Sequence, residues 1–161
     1  AAASSIRRVV GGDELRAAMR RFASGVCVVT VDDEGSTAGL TVGSLVSLSL
    51  EPALVGISIG LQSQLHEPLR RSGRFSVSIL AGDQAHLAQH FARSVPPIAH
   101  WEGIPSRDRD LIDGALAWLR CRVAAEHEAG DHTIFVGAVE AIELGRPGPP
   151  LVYVEGTYRP A

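Results

Sequence analysis

Lysine and arginine are too few and too scattered in this sequence to form a nucleic-acid-binding surface. The 161 residues carry 15 Lys and Arg against 18 Asp and Glu, which gives a formal net charge of −3. Proteins that bind nucleic acid concentrate positive charge in a patch or stripe. Long apolar runs are also missing, since none approaches the roughly 18 residues that a membrane-spanning helix needs. The composition therefore argues against both nucleic acid and membrane as partners.

Cysteine is scarce as well, and the N-terminus lacks the features of a secretory signal. Cys27 and Cys121 lie in apolar, alternating segments, a setting that predicts buried free thiols. Free thiols suit the reducing cytoplasm, although a disulfide between the two cysteines is an open alternative. The stretch Ala1–Ser5 is too short and too uncharged to direct secretion. We therefore expect a cytoplasmic protein.

Apolar residues are sufficient for one core of ordinary size. They make up 45% of the chain and are spread along its whole length. The length and this even distribution predict a single domain over 12–161, with 1–11 disordered or left over from cloning.

The hydrophobic pattern predicts about seven strands and two or three helices. Asp13 is expected to cap a first helix that reaches about Ala23, and Asp83 to cap another that contains Phe91. A short helix is predicted at 63–72. Strands are predicted at 26–31, 53–59, 74–80, 115–126, 133–144 and 151–154, with a Gly- and Ser-rich segment at 37–50. Because strand follows strand without regular helical crossovers, we predict a mainly β, antiparallel barrel with peripheral helices.

A hydroxyl-rich segment, Thr41–Leu50, is the first candidate for a binding site. Its sequence, TVGSLVSLSL, contains four hydroxyl groups and one glycine. Hydroxyls, and backbone N–H groups beside Gly43 where no Cβ blocks the approach, suit the phosphate and the pyrimidine edge of a flavin. The alternative is a half-exposed strand whose serines face water.

Two turns supply the other candidates. The turn Gly130-Asp131 presents His132 at the start of a strand, where its ring could contact a nicotinamide carboxamide or a flavin. The alternative is an ordinary turn with an exposed histidine. The run Gln62-Ser63-Gln64 follows a buried strand and is expected to open a short helix, whose N-terminus would attract phosphate. A plain N-capping serine is the alternative there.

Other patterns argue against several kinds of site. His86 and His90 lie one helical turn apart, but no third ligand is evident, so no metal site is predicted. The sequence has no GxGxxG, no P-loop and no nucleophile elbow. A nicotinamide nucleotide would therefore not be held by a Rossmann fold.

Three segments in this order resemble the flavin reductase-like family, the short reductase components of two-component flavin monooxygenases. They are GLTVGSLVSLSLEPALV at 39–55, FSVSILAGDQAHLAQHFA at 75–92 and GDHTIFVGAVE at 130–140. The likeness runs from the first helix to the final Gly156-Thr157-Tyr158. It implies an FMN-binding split β-barrel of Greek-key type, with FMN or FAD as flavin and NADH or NADPH as co-substrate. It also implies a homodimer, and strands such as 53–59, apolar on both faces, would gain cover from a second subunit.

The resemblance further implies roles for individual residues. The segment 41–48 would hold the flavin ring and ribityl chain, and Gln62–Gln64 would lie by its phosphate. His132, the implied catalytic residue, would match a histidine near the nicotinamide and would position it. Tyr158 would match an aromatic near the site. The implied cofactor-binding residues are Thr41, Val42, Gly43, Ser44, Leu45, Ser47, Leu48, Gln62, Ser63, Gln64, Phe91, Ser94 and Tyr158.

Gly43, Ser44 and Leu45 depart from the family pattern, which usually has Asn or Ser followed by a small residue and Phe. The loss of a side-chain donor and of an aromatic wall would change flavin affinity or preference. The implied activity is hydride transfer from nicotinamide C4 to flavin N5, with reduced flavin passed to a separate flavin-dependent monooxygenase.

Two other classes of protein stay open at this point. One is a non-catalytic flavin- or haem-binding split-barrel module, because a fold does not determine activity. The other is a self-contained oxidase related to pyridoxamine-phosphate oxidase. Such an enzyme would need a basic phosphate cluster, and the C-terminal region offers only Arg146 and Arg159.

Overall fold

The computed structural model describes residues 9–93 and 101–161. Its elements are α1 (Gly12–Met19), β1 (Ser24–Gly25), β2 (Cys27–Asp33), β3 (Ser36–Val42), β4 (Val46–Leu50), β5 (Ala53–Gly60), α2 (His66–Ser72), β6 (Arg74–Ile79), α3 (Ala85–Phe91), β7 (Ser106–Arg107), β8 (Leu111–Ile112), β9 (Ala117–Ala129), β10 (His132–Leu144), β11 (Leu151–Val154) and β12 (Thr157–Pro160). Seven strands form one antiparallel sheet in the order β3-β2-β6-β9-β10-β5-β4. The mainly β, antiparallel prediction is confirmed.

The seven-stranded sheet is rolled so that its two edges meet. Its edge strands, β3 and β4, are consecutive in the chain and are joined only by Gly43–Leu45. The four residue steps from Val42 to Val46 span at most about 14 Å, whereas seven strands laid flat would separate the edges by roughly 29 Å. The short connection therefore forces the sheet to curl around its inner face.

The inner face of the rolled sheet forms the main core. In β5 the alternating residues Val55, Ile57 and Ile59 point inward, and Phe135 of β10 meets them from the neighbouring strand. Strand β9 contributes Cys121, and β2 and β6 contribute their own alternate residues. Helix α2 lies against this cluster through Leu69, which is fully buried. Period-two alternation thus places one apolar set inside.

Strand β2 is also apolar on its outer face, and this second face is covered by other parts of the chain. Val26, which precedes β2, and Val28 pack with Leu87 and Phe91 from α3 and with Leu151 from β11. A strand that is buried on both faces needs such a continuous apolar run. Helix α3 and the β11–β12 hairpin therefore act as the cover of this side of the sheet.

The outer side of β4, β5 and β10 carries apolar side chains without such a cover from the described residues. Val46 and Leu48 lie across Gly56, where a Cβ would come within 3.1 Å of each of them. Gly56 pairs with Val136, and Ile134 lies two residues along the same face of β10. We call these five residues the uncovered face; Val46, Leu48 and Ile134 in it are exposed.

Two helix starts differ from the prediction. Helix α1 begins at Gly12 behind Gly11, whose N–H donates to Glu14 at 3.1 Å, so Asp13 lies inside the helix rather than capping it. Helix α1 also ends at Met19, short of Ala23.

In α3 the N-cap is Gln84 rather than Asp83. The Gln84 Oε1 accepts from the Ala81 N–H at 3.0 Å, while Asp83 forms an ion pair with Arg146. Neither aspartate caps its helix, and both bind arginines instead: Asp13 pairs with Arg16 and Asp83 with Arg146.

Both thiols are free and buried, as predicted, and the alternative of a disulfide is wrong. Burial raises the pKa of the Cys27 thiol to about 12, and burial followed by the charge of Glu140 raises that of Cys121 to about 12. Among the described residues, no helix combines the length and the apolar character needed to cross a membrane. The predicted disorder of 1–11 falls largely on 1–8, which lie outside the described residues.

Candidate functional site

An open groove of about 730 Å³ lies where the two edges of the sheet meet. The floor of the groove is formed by the end of β3, the Gly43–Leu45 turn and the start of β4. From their outer side, β5 contributes Ser58 and Gly60, and β10 contributes His132. The lining residues are Met19, Phe22, Ser24, Leu40, Thr41, Val42, Gly43, Ser44, Leu45, Val46, Ser58, Gly60, His132 and Tyr153. The groove therefore adjoins the uncovered face, with which it shares Val46.

Hydrogen bonds hold the turn between β3 and β4 in place. Ser44 Oγ accepts from the Ser58 N–H at 3.0 Å and donates to the Ser58 carbonyl at 3.2 Å. Thr41 Oγ1 donates to the Ala88 carbonyl in α3 at 2.7 Å. These two hydroxyls therefore stabilise the floor of the groove by fixing the turn to β5 and the end of β3 to α3.

The groove combines apolar walls with backbone that a ligand can approach. Met19 and Phe22, at the end of α1 and just after it, expose more than half of their surface beside it. Tyr153 lines the groove from β11 and contacts the ring of Tyr158, with the centroids 4.9 Å apart. Gly43 and Gly60 present backbone without a side chain. A flat aromatic ring with a polar edge fits such a combination of walls and floor.

His132 lies at one end of the groove, at the first position of β10. It pairs with Gly60, and a Cβ at Gly60 would lie in ordinary contact with His132 Nε2, at 3.7 Å, so the ring lies directly beside this glycine. His132 Nδ1 contacts Asp131 Oδ1 at 2.7 Å, and this hydrogen bond lowers the pKa of the Asp131 carboxyl. The ionised carboxylate can only accept, so Nδ1 carries the proton and Nε2 is left for a ligand.

A second cavity, of about 580 Å³, lies on the other side of His132. His66 of α2 is buried there, and its Nε2 contacts Thr133 Oγ1 at 2.8 Å. Arg70 Nε lies 3.0 Å from Glu126 Oε2 at the rim. Within residues 9–93 and 101–161, no group of three or more His, Cys, Asp or Glu side chains is arranged to hold a metal ion.

The structure brings some of the predicted site residues together and leaves others apart. Thr41, Val42, Gly43, Ser44, Leu45 and His132 all line the groove. Ser47 and Leu48 lie further along β4, outside the lining. Phe91 is fully buried in the apolar cluster between α3 and β2. Tyr158 does not line the groove but contacts the ring of Tyr153, which does. Ser94 lies outside the described residues.

The segment Gln62-Ser63-Gln64 is a turn and does not open a helix. The Ser63 N–H donates to the Gly60 carbonyl at 2.9 Å, and Ser63 Oγ accepts from the Leu65 N–H at 3.2 Å. Helix α2 begins only at His66, behind Leu65. The prediction of a helix N-terminus at Gln62–Gln64 is wrong, because the chain first forms a turn in which the His66 N–H donates to the Ser63 carbonyl at 3.1 Å.

Several groove residues were not predicted from the sequence. Ser58 and Tyr153 lie in predicted strands, and Ser24 and Gly60 lie between predicted elements; none of the four was assigned a functional role. A signal for two of them exists in β5: the inward positions are Val55, Ile57 and Ile59, while Gly56, Ser58 and Gly60 alternate with them. Small residues on one side of a strand indicate close approach of another group. Nothing comparable in the sequence marks Ser24 or Tyr153.

Comparison with known proteins identifies related chains over almost the full length. The family model described as "Flavin reductase like domain" matches residues 19–161. An NADH-dependent flavin reductase of a Rhodococcus species is 41% identical over 148 residues, which cover 90% of this chain and 84% of the relative. The reductase component of a 4-hydroxyphenylacetate 3-monooxygenase from Thermus thermophilus is 43% identical over 148 residues, 91% of this chain and 95% of the relative.

Solved structures agree with this relationship. An NADH:FAD oxidoreductase of Streptomyces globisporus, solved in complex with NAD and FAD fragments, is 31% identical to this chain. It superposes with a TM-score of 0.85 and covers 94% of this chain and 95% of that one. The likeness confirms the predicted split-barrel fold class.

Proposed function

This chain belongs to the flavin reductase like family, and we propose that its groove is where NADH or NADPH reduces a free flavin. It is an oxidoreductase that uses FMN or FAD with a nicotinamide nucleotide and supplies reduced flavin to a separate monooxygenase. The observation that supports this groove is the convergence of the Gly43 turn, His132 and Tyr153 around one open space of about 730 Å³.

The residues of the groove bind and orient the two substrates and do not move a proton. The hydride passes from nicotinamide C4 to flavin N5, so the chemistry belongs to the two nucleotides. Met19, Phe22 and Tyr153 provide apolar contact for the flavin ring. The backbone at Gly43 faces its polar edge. His132 Nε2, held by the bond between Nδ1 and Asp131, binds the carboxamide of the nicotinamide and sets its ring against the flavin.

Steady-state kinetics with added flavin test this proposal. Purified protein is mixed with NADH or NADPH and with FMN, FAD or riboflavin, and nucleotide oxidation is followed by absorbance. We expect turnover that depends on free flavin and saturates with it. A rate no higher than the uncatalysed rate with every flavin overturns the enzyme assignment. Flavin binding without turnover would favour the non-catalytic module instead.

We also propose that the protein is a homodimer whose second subunit lies on the uncovered face. Val46 and Leu48 are each about half exposed, and Ile134 on the same side of β10 is exposed to 38%. Exposed apolar side chains grouped in this way mark an interaction surface. A two-fold pair is the commonest arrangement that covers such a patch. Because Val46 belongs to both surfaces, the second subunit would border the groove.

Light scattering at micromolar concentration tests the dimer. We expect a mass twice the 17.0 kDa of one chain. An obligate interface of this kind buries roughly 2,000 Å² or more in total. A mass of one chain together with full flavin-reducing activity overturns the dimer proposal and leaves the activity assignment intact.

The proposed location is the cytoplasm. Both thiols are free and lie in the core of the sheet, a state that a reducing compartment maintains. Fractionation of cells that express the native chain, with the two thiols titrated before and after unfolding, tests this proposal.

A further inference from the structure

Four serine and threonine side chains line the groove, and their hydrogen bonds divide them into two pairs. Thr41 and Ser44 are bound to backbone groups of Ala88 and Ser58, so their hydroxyls already have protein partners. The hydroxyls of Ser24 and Ser58 have no hydrogen-bond partner in the part of the chain that the structure describes. The pair that is available to a ligand is therefore not the pair that the hydroxyl-rich segment predicted.

Ser24 is placed in the groove by its strand and by a glycine opposite. It lies in β1 and pairs with Tyr153 of β11, which lines the same groove. A Cβ added at Gly43 would meet Ser24 Oγ at 2.7 Å, a distance that real Cβ contacts essentially never show. The Ser24 hydroxyl thus occupies the space that a side chain at position 43 would need.

Ser58 is fixed from the opposite side of the turn. Its backbone N–H and carbonyl are both bound to Ser44 Oγ, at 3.0 and 3.2 Å, so its position relative to the turn is set. Its side chain lies on the outer side of β5, where it lines the groove between Gly56 and Gly60. The two glycines keep neighbouring side chains away from its hydroxyl.

We propose that the Ser24 and Ser58 hydroxyls are the side-chain hydrogen-bonding groups for the flavin. Position 43 is then a glycine because the Ser24 hydroxyl fills the space that a side chain there would need. The proposal rests on the assignment of the groove as the flavin site. A hydroxyl can both donate and accept, so the pair suits the polar edge of the flavin, which carries both kinds of group. The donor that a side chain at position 43 would supply is supplied by Ser24.

The first experiment measures FMN and FAD dissociation constants by quenching of flavin fluorescence. Ser24→Ala and Ser58→Ala are each expected to weaken binding by about 3- to 10-fold, the equivalent of one hydrogen bond. Ser106→Ala is the matched control, because Ser106 is an exposed serine of β7 outside the groove. Circular dichroism and thermal melting confirm that each variant folds.

The second experiment is a double-mutant cycle between positions 24 and 43. Gly43→Ala alone is expected to weaken FMN binding as much as Ser24→Ala does, because its new Cβ displaces the Ser24 hydroxyl. In the Ser24→Ala background the nearest neighbour of that Cβ is the Cβ of residue 24 at 3.5 Å, an ordinary contact. Gly43→Ala should then add little, so the two effects are strongly non-additive.

The outcomes separate this inference from the proposed function. If the unaltered chain binds and reduces flavin but Ser24→Ala and Ser58→Ala leave both dissociation constants unchanged, the inference is wrong and the activity stands. Additive effects of Ser24→Ala and Gly43→Ala overturn the coupling between the two positions. If the unaltered chain neither binds nor reduces any flavin, the proposed function itself fails.

Discussion

The outer side of β2 and the outer side of β4, β5 and β10 carry the same kind of side chain but meet different neighbours. Val28 of β2 is completely buried beneath α3 and β11, whereas Val46 of β4 remains about half exposed. Both belong to one sheet and follow the same alternation. Burial of the covered side stabilises the folded chain, whereas the uncovered face and the groove beside it are the surfaces for which we propose a second subunit and the flavin.

The largest expected effect tests the covered side. Phe91→Ala removes a fully buried ring whose centroid lies 5.4 Å from that of Trp101. The ring also packs tightly on Gly39 of β3, where an added Cβ would lie only 2.8 Å from it. We expect a loss of about 3–5 kcal/mol in the free energy of unfolding, measured by urea denaturation. Leu144→Ala, at an 80% exposed position of β10, is the control and should change that free energy by about 0.5 kcal/mol or less. Equal losses in the two variants would contradict the comparison.

A charge on the uncovered face tests the opposite side of the sheet. Ile134→Asp places a carboxylate where the second subunit is proposed to lie, and burying it unpaired costs at least about 2 kcal/mol. Dimer dissociation should therefore become roughly 30-fold easier or more, as measured by sedimentation over a concentration series. The chain itself should keep its circular dichroism spectrum, because Ile134 is exposed in the single chain. Ser106→Asp, on β7, is the control. An unchanged dissociation constant for Ile134→Asp contradicts the proposed interface.

The Cys27 thiol, on the inner face of the sheet, is tested by the pH dependence of the free energy of unfolding. In the folded chain burial raises the pKa of Cys27 from 9.0 to about 12, whereas the unfolded thiol ionises near its ordinary value. The contribution of the neutral thiol to the free energy of unfolding is fully present below pH 9 and is lost as the pH rises toward 12. One thiol lowers that free energy by about 1.4 kcal/mol per pH unit in this range. Denaturation curves between pH 8 and 10 measure it, and Cys27→Ala should flatten the slope. A slope that Cys27→Ala does not change would contradict the buried-thiol account.

Much of the fold was predictable because alternation and turn residues are local properties of the chain. The strands at 26–31, 74–80 and 133–144 were predicted to within a few residues, since β-branched runs bounded by turn residues define them. The helix starts at Asp13 and Asp83 were wrong: the N-caps are Gly11 and Gln84, and the two aspartates form ion pairs with Arg16 and Arg146. Capping preferences rank residue types and do not reveal which side chains form ion pairs instead.

The candidate site was predictable only where one segment supplies it. Thr41–Leu45 and His132 follow from the hydroxyl-rich turn and the Gly-Asp-His sequence, and both line the groove. Ser24 and Tyr153 reach it through pairing between β1 and β11, a contact between residues far apart in the chain. Their position depends on this long-range pairing, so no local pattern could reveal it.

The smallest expected effect concerns His132, on the groove side of β10. His132→Ala removes the Nε2 group that is proposed to bind the nicotinamide, and one lost hydrogen bond costs about 0.5–1.5 kcal/mol. At saturating FMN the KM for NADH should therefore rise by about 2- to 10-fold, while the dissociation constant of FMN changes less. Asp131→Asn keeps an acceptor oxygen near Nδ1 and should raise that KM by a smaller factor, because it only loosens the ring's orientation. Steady-state kinetics of both variants, beside fluorescence titration with FMN, separate the two substrates. If the KM for NADH and the turnover number are unchanged in His132→Ala, the histidine does not position the nucleotide; if FMN affinity falls more than NADH use, His132 belongs to the flavin side of the groove together with Ser24 and Ser58.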